Sequence, residues 1–295
     1  MNLERLVHID RRIIYLLIAL GTTIPLLLPI GLPVSSTPPV ERLFDKIEGL
    51  GQQEVVLVSF DYGPTTAPEN NPMAQATLRH CFTRGVKVVV VALFPIGGVT
   101  MAGEILEGVA GEYPDLEYGV DYAFLGYKDG AQAAMKQMMG NAFAEVFPQD
   151  FFGTDTNQLP LMRRVVNHEQ IALVVSFSTN IIGEWWANLV NAQYGTPVAV
   201  GTTAVSAPKY YAFLDSGQML GLLGGLKGAS EYEQLLIDAH PELMTIYQQA
   251  GIYTAMKGMD AQTVDHAIIM LFIIFGNTVY FLVQRRDARR KQHQA

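Results

Sequence analysis

Two long apolar runs bracket a central stretch in which short apolar segments alternate with segments of helical period. No charged residue occurs from Ile13 to Val40, and Ala267 to Val283 is again uncharged, between Asp265 and the pair Arg285-Arg286. About 20 apolar residues, rising 1.5 Å each, cross a hydrocarbon core of roughly 30 Å. The pattern predicts transmembrane helices over 13–33 and 265–284. Pro25 and Pro29 interrupt the first run, a placing that a membrane helix tolerates better than an aqueous one. A cleavable signal peptide with Arg5, Arg11 and Arg12 as its basic region is the competing reading. The run is longer than a usual signal core, and no clear small-residue cleavage pattern follows it before Val34-Ser35-Ser36, so an uncleaved anchor is expected.

Between the runs, residues 34–50 read as a polar, proline-bearing linker. Strands are predicted at Glu54 to Phe60, Val86 to Leu93, Tyr118 to Leu125, Ile171 to Phe177 and Pro197 to Gly201. Helices are predicted at Met73 to Arg84, Met101 to Ala110, Asp129 to Phe147, Leu161 to His168 and Ile182 to Tyr194. Gly85 supplies the first of these with a C-terminal stop. Val86 to Leu93 is almost continuously apolar, the mark of a parallel strand covered on both faces. The expected fold over 51–240 is an α/β, Rossmann-like, doubly wound and mainly parallel sheet of roughly five strands. Two smaller α/β halves, broken in the Gly/Thr/Asp/Asn-rich loop at 149–158, are the alternative. Pro241 to Met259 carries a broad apolar face, including Ile252 and Tyr253, so 241–264 reads as a membrane-proximal helical segment.

Charge turns this pattern into a topology. The chain of 295 residues holds 20 Lys/Arg against 28 Asp/Glu, a formal charge of −8. Residues 33 to 265 carry 12 Lys/Arg and 25 Asp/Glu, a net −13. Basic residues crowd the ends, with Arg5, Arg11 and Arg12 before the first run and Arg285, Arg286, Arg289, Arg290 and Lys291 after the second. By the positive-inside rule, residues 1–12 and the tail 285–295 are cytoplasmic and the acidic domain is extracytoplasmic. The expected location is the cell (inner) membrane of a bacterial type of cell, with the lipid bilayer as one partner. The basic tail reads as a headgroup anchor, and the acidic total argues against nucleic acid as a partner. One cysteine, Cys81, excludes a disulfide framework and thiolate-rich zinc sites.

Candidate chemistry gathers at the strand ends, where open α/β sheets bind ligands. Asp61 and Glu69 are a candidate cation- or hydroxyl-binding pair beside a crevice lined by Ser178, Thr179, Asn180, Thr202 and Thr203. The same residue types turn strands and cap helices in any fold. No G-x-G-x-x-G, P-loop, G-x-S-x-G or H-E-x-x-H pattern is present, and the six histidines show no metal-ligand spacing. No cofactor, metal or catalytic residue is therefore expected. In the segment 215–233, Gly217, Gly221, Gly224, Gly225 and Gly228 alternate with Leu and Met. Such spacing permits close backbone approach, for packing or assembly. Asn277, a polar notch in the second run, is expected to face Thr22 and Thr23 of the first or a second subunit.

Three functions fit. The first is a non-enzymatic subunit or scaffold of a membrane complex, oligomerising with itself or other membrane subunits through its spans and glycine-rich segment. The others are a module binding a small-molecule ligand at the strand ends, and a membrane-tethered hydrolase or transferase using Asp61.

Overall fold

The computed structural model describes residues 10–249 and 254–294. Two compact units are distinct: 33–250 with 254–256, and 1–32 with 251–253 and 257–295. In the larger unit, helix α2 (Pro38–Glu48; α1, Arg11–Leu27, belongs to the smaller unit) precedes β1 (Val55–Asp61). Then follow α3 (Ala67–Thr83), β2 (Lys87–Ala92), α4 (Gly98–Ala110), β3 (Tyr122–Tyr127) and α5 (Ala131–Gly140). β4 (Ile171–Ser178), α6 (Ile182–Trp185, continued as a π-helix to Asn191), β5 (Val198–Thr202), β6 (Gly221–Gly224) and α7 (Gly225–Ala239) follow, with shorter helices between and after them.

All six strands pair in parallel in the order β3-β2-β1-β4-β5-β6. The β1 burial explains why. Each of its seven residues is buried, with Val56, Val58 and Phe60 in one core and Val55 and Leu57 in the other. Alternate side chains thus enter two separate cores, which only a sheet covered on both faces allows. Residues of α2, α3, α4 and α7 fill the first core, and residues of α5 and of 182–190 fill the second.

Several expectations change. The linker at 34–50 is mostly helix: α2 begins on Pro38 and buries Val40, Leu43, Phe44 and Ile47, a spacing of 3, 4 and 7 that makes one helical stripe. Burying each of these side chains contributes about 1.5–3 kcal/mol at most. The single sheet leaves no two-lobed break at 149–158. The helix expected over 129–147 ends at Gly140 and resumes at Phe143–Val146, and glycine at 140 leaves room for the Tyr194 hydroxyl, 2.7 Å from where a Cβ would lie.

The glycine-rich segment supplies β6, a sixth strand that the Gly-Leu pattern concealed. A Cβ on Gly221 would lie 2.8 Å from Leu43 Cβ and from the Pro39 carbonyl, so glycine lets α2 sit against this edge strand. Gly225, at φ +64°, turns the chain from β6 into α7, and Gly228 packs on Leu223. Gly217, at φ +75°, sits in the turn before β6.

In the smaller unit, α8 (Ala255–Gln294), which starts in the larger unit, is long and apolar enough over Ala255–Arg286 to cross a membrane. The first apolar run is shorter than expected. α1 has 17 residues and stops at Leu27, about 25 Å at the helical rise, and the chain is non-helical from Pro29 through Ser36. Asp260 holds that exit, accepting from the backbone N–H groups of Ile30, Gly31 and Leu32 at 2.9, 2.9 and 3.1 Å. α1 touches α8 at Gly21-Thr22. The Thr22 hydroxyl donates to Asp265 Oδ2 at 2.6 Å, and a Cβ on Gly21 would lie 2.6 Å from Asp265 Oδ1. Thr22 therefore faces Asp265, and not Asn277, which is exposed beside an equally open Gly276. Arg5, Ile252 and Tyr253 lie outside the described residues, as do the side chains of Arg289, Arg290 and Lys291.

Candidate functional site

The carboxyl ends of β1 and β4 meet around Asp61. Residues two apart on a strand share a face, so Ser59 and Asp61 point together. The register sets Ser176 opposite Ser59 and Ser178 opposite Asp61. Trp186, from the π-helical turn after α6, closes the cluster from above.

Asp61 is wholly buried and its acceptor positions are filled. Oδ1 accepts from the Ser59 hydroxyl at 2.9 Å and from the Leu93 N–H at 3.2 Å. Oδ2 accepts from the Ser176 hydroxyl at 2.7 Å and from Trp186 Nε1 at 3.0 Å. Burial pushes the carboxyl up to about 6, against the opposing pull of these four donors. A carboxylate so engaged ties β1, β4, the β2 end and the helix after β4 into one knot.

The remaining expected residues divide into two groups. Asn180 donates from Nδ2 to the Asp61 carbonyl at 2.7 Å and accepts at Oδ1 from the Ile182 N–H at 2.8 Å. Ser178 Oγ accepts from the Gly183 N–H at 3.1 Å. The carbonyl of Asn180 receives both Lys209 Nζ and the Tyr210 hydroxyl, each at 3.2 Å. Thr179 approaches Thr66, hydroxyl to hydroxyl, at 3.5 Å. The contacts to the Ile182 and Gly183 N–H groups satisfy the first turn of the helix that follows β4, common work for such side chains, and the others tie this loop to β1 and to 209–210.

Glu69, Thr202 and Thr203 form the second group, at the β5 end. Glu69 Oε2 accepts from the Ala204 N–H at 2.9 Å, and Thr203 donates to Ser206 Oγ at 3.2 Å. Asp61 and Glu69 share no hydrogen-bonding partner. Two buried atoms at this end, Thr202 Oγ1 and Asn70 Oδ1, have no protein partner, while Asn70 Nδ2 donates to the Thr66 carbonyl. Thr202→Val should therefore change unfolding free energy by less than about 1 kcal/mol, because no protein hydrogen bond is removed. Chemical denaturation checks this.

One cluster escaped the sequence. Glu48 at the end of α2, His80 in α3 and His240 just past α7 converge. Glu48 Oε2 meets His80 Nε2 at 2.8 Å and His240 Nε2 at 3.0 Å. Burial drives the His80 imidazole down to about 4, against the hydrogen bond to Glu48. Burial raises Glu48, but the bonds from His240 and His80 outweigh it and hold this carboxyl below its ordinary value. The signal was absent locally, since 32 and 160 positions separate the three residues.

No family model matches the chain, and no curated protein or solved structure matches it either.

Proposed function

We propose that the chain is a membrane-anchored, non-enzymatic subunit that presents an α/β domain for assembly with further copies of itself or with other membrane subunits. One observation carries this reading. The loops that leave β2, β4 and β5 expose Ile96, Ile181 and Val205 at 70%, 51% and 91%. The sheet end that they border is sealed around Asp61. Three large apolar side chains exposed on loops at one end of the sheet offer a surface for contact with another subunit. The strand order 3-2-1-4-5-6, with helices on both faces, supports a Rossmann-like, doubly wound description. That description leaves the activity open.

In the proposed topology, α8 crosses the membrane and α1 accompanies it. Both termini are cytoplasmic and the acidic domain is on the opposite side. The polar notch at Asn277 is a second contact, facing another subunit within the bilayer, where a lipid-facing amide is unfavourable. With Gly221, Gly225 and Gly228 buried in the domain, the loop tips are the larger part of the proposed assembly surface.

The test uses the full chain extracted in mild detergent, with its mass measured by light scattering. A complex larger than one chain is expected, and the pair Ile181→Asp with Val205→Asp should reduce it to a monomer. A monomer in the unaltered protein, without a co-purifying subunit, sinks the proposal. Orientation has its own test. Cys81 is buried and its thiol is pushed up to about 12 by burial, so the unaltered chain should not react with an impermeant maleimide. Val205→Cys should be labelled on intact cells; labelling only after lysis reverses the topology.

A ligand-binding module is the second reading. The unpartnered Thr202 Oγ1 and Asn70 Oδ1 favour it, because they offer a donor and acceptors at the end of β5. The hydrolase reading is set aside, since every acceptor position of Asp61 faces a donor of the fold.

A further inference from the structure

We propose that Glu48, His80 and His240 form a binding site for a divalent zinc-type cation. The ligating atoms, one carboxylate oxygen and two imidazole nitrogens, all lie within 4.8 Å of one another. Two histidines and one carboxylate are a known donor set for zinc, with a fourth position left for water. At zinc–ligand bonds of about 2.0–2.1 Å, tetrahedral ligand atoms stand roughly 3.3 Å apart. The Glu48–His80 and Glu48–His240 separations of 2.8 and 3.0 Å are slightly shorter than this, and the two imidazole nitrogens lie within 4.8 Å of each other.

The surroundings suit ligation on Nε2 of both rings. A ligating histidine usually gives its other N–H to an oxygen acceptor, which fixes the ring and its tautomer. His80 Nδ1 faces the Tyr232 hydroxyl at 2.7 Å, and His240 Nδ1 faces Glu242 Oε1 at 3.4 Å. Phe44 stacks on the His80 ring, with centroids 4.6 Å apart, and holds its plane. Arg84 Nη1 stands 3.5 Å from Glu48 Oε1, which leaves Oε2 as the single ligating oxygen. On binding, each imidazole proton moves from Nε2 to Nδ1, where the hydroxyl or the carboxylate accepts it. The cation then replaces the two imidazole–Glu48 contacts with three metal bonds. Glu48 and His240 are partly exposed while His80 is buried, so the cation has a route in and a fixed floor.

The experiment uses the untagged full chain in detergent, stripped with a chelator and titrated with Zn²⁺ by calorimetry. One Zn²⁺ per chain is expected, with Co²⁺ in its place giving the visible absorption of a tetrahedral site. His240→Asn and Glu48→Gln should each weaken binding by more than the roughly 10–100-fold typical of losing an outer-shell partner. His168→Asn, remote from the cluster, should leave it unchanged. His80 is fully buried and its replacement risks the fold, so the other two variants carry the test, with circular dichroism to confirm their folding. Absence of a stoichiometric site, or full affinity retained in folded His240→Asn, overturns the proposal. The cluster is then a hydrogen-bonded tie between helices.

Discussion

Asp61→Ala should destabilise the α/β domain by about 3–5 kcal/mol, the range for stripping the partner from buried charge-assisted bonds. Four donors from four parts of the chain lose their acceptor together. Ser59, Ser176 and the Leu93 N–H stay buried with nothing to bond, and the Trp186 indole N–H points into the space left. Tryptophan fluorescence during urea unfolding reads the effect, since Trp186 sits in the knot. Asp61→Asn keeps the shape and part of the accepting capacity, so its loss should be smaller.

The same carboxyl gives the domain a pH signature. Its folded value of about 6 lies above the ordinary 3.8, so the folded state holds a proton that the unfolded chain has released. Its contribution is then full below about pH 4 and is lost as the pH rises through about 6. A gap of this size corresponds to about 3 kcal/mol. Asp61→Asn cannot titrate and should flatten that part of the stability profile. Parallel profiles for the two proteins between pH 4 and 7 would falsify the assignment.

The layered core was legible because a parallel strand buried on both faces has a distinctive composition. Val88 to Val91 and Leu173 to Val175 announce themselves without any partner being known. β6 did not, because Gly221 and Gly224 trade side chains for close approach by α2 and the turn into α7. That bargain is visible only when Leu43 and Pro39 are in place. α2 was hidden by the prolines that open it: Pro38 and Pro39 look like linker, yet proline is well placed in a first helical turn. Pro29 has the opposite consequence, standing just past Leu27 where α1 stops short of the expected length, while Pro25 is carried inside the helix.

Site chemistry was legible in type and not in arrangement. Asp61 was singled out as the acid at a strand end. Its saturation depends on Ser176 and Trp186, 115 and 125 positions away, and no local pattern encodes that. Glu69 and Thr203 were similarly visible as polar loop residues, but their partners are the backbone N–H of Ala204 and the hydroxyl of Ser206. The histidines were dismissed on spacing, a criterion that works for ligands on one helix. It fails for Glu48, His80 and His240, which reach one point from three elements.

Glu231→Ala is expected to release the start of α2 and cost about 1–3 kcal/mol, through the half-buried Thr37 N–H and hydroxyl losing their acceptor. α7 carries two almost wholly buried glutamates, Glu231 and Glu233. Glu233 accepts from the N–H groups of Ala255 and Met256 at 3.0 and 2.9 Å, where the chain leaves the domain. Glu231 Oε2 accepts from the Thr37 N–H at 2.9 Å and the Thr37 hydroxyl at 2.6 Å, where the chain enters, while Lys227 pairs with Oε1. Thr37 is the N-cap of α2 and makes no side-chain cap bond to its own helix, so the buried carboxylate satisfies the entry in its place. Alanine leaves the Thr37 N–H without that acceptor, and the first turn of α2 should fray. Hydrogen exchange at 40–44 should quicken at least tenfold in Glu231→Ala, while amides of β1 and β4 keep their protection. Glu231→Gln retains one accepting oxygen and should show a smaller effect. Unchanged exchange at 40–44 in the alanine variant would mean that the apolar stripe of Val40, Leu43, Phe44 and Ile47 holds α2 alone, and that the glutamate is dispensable there.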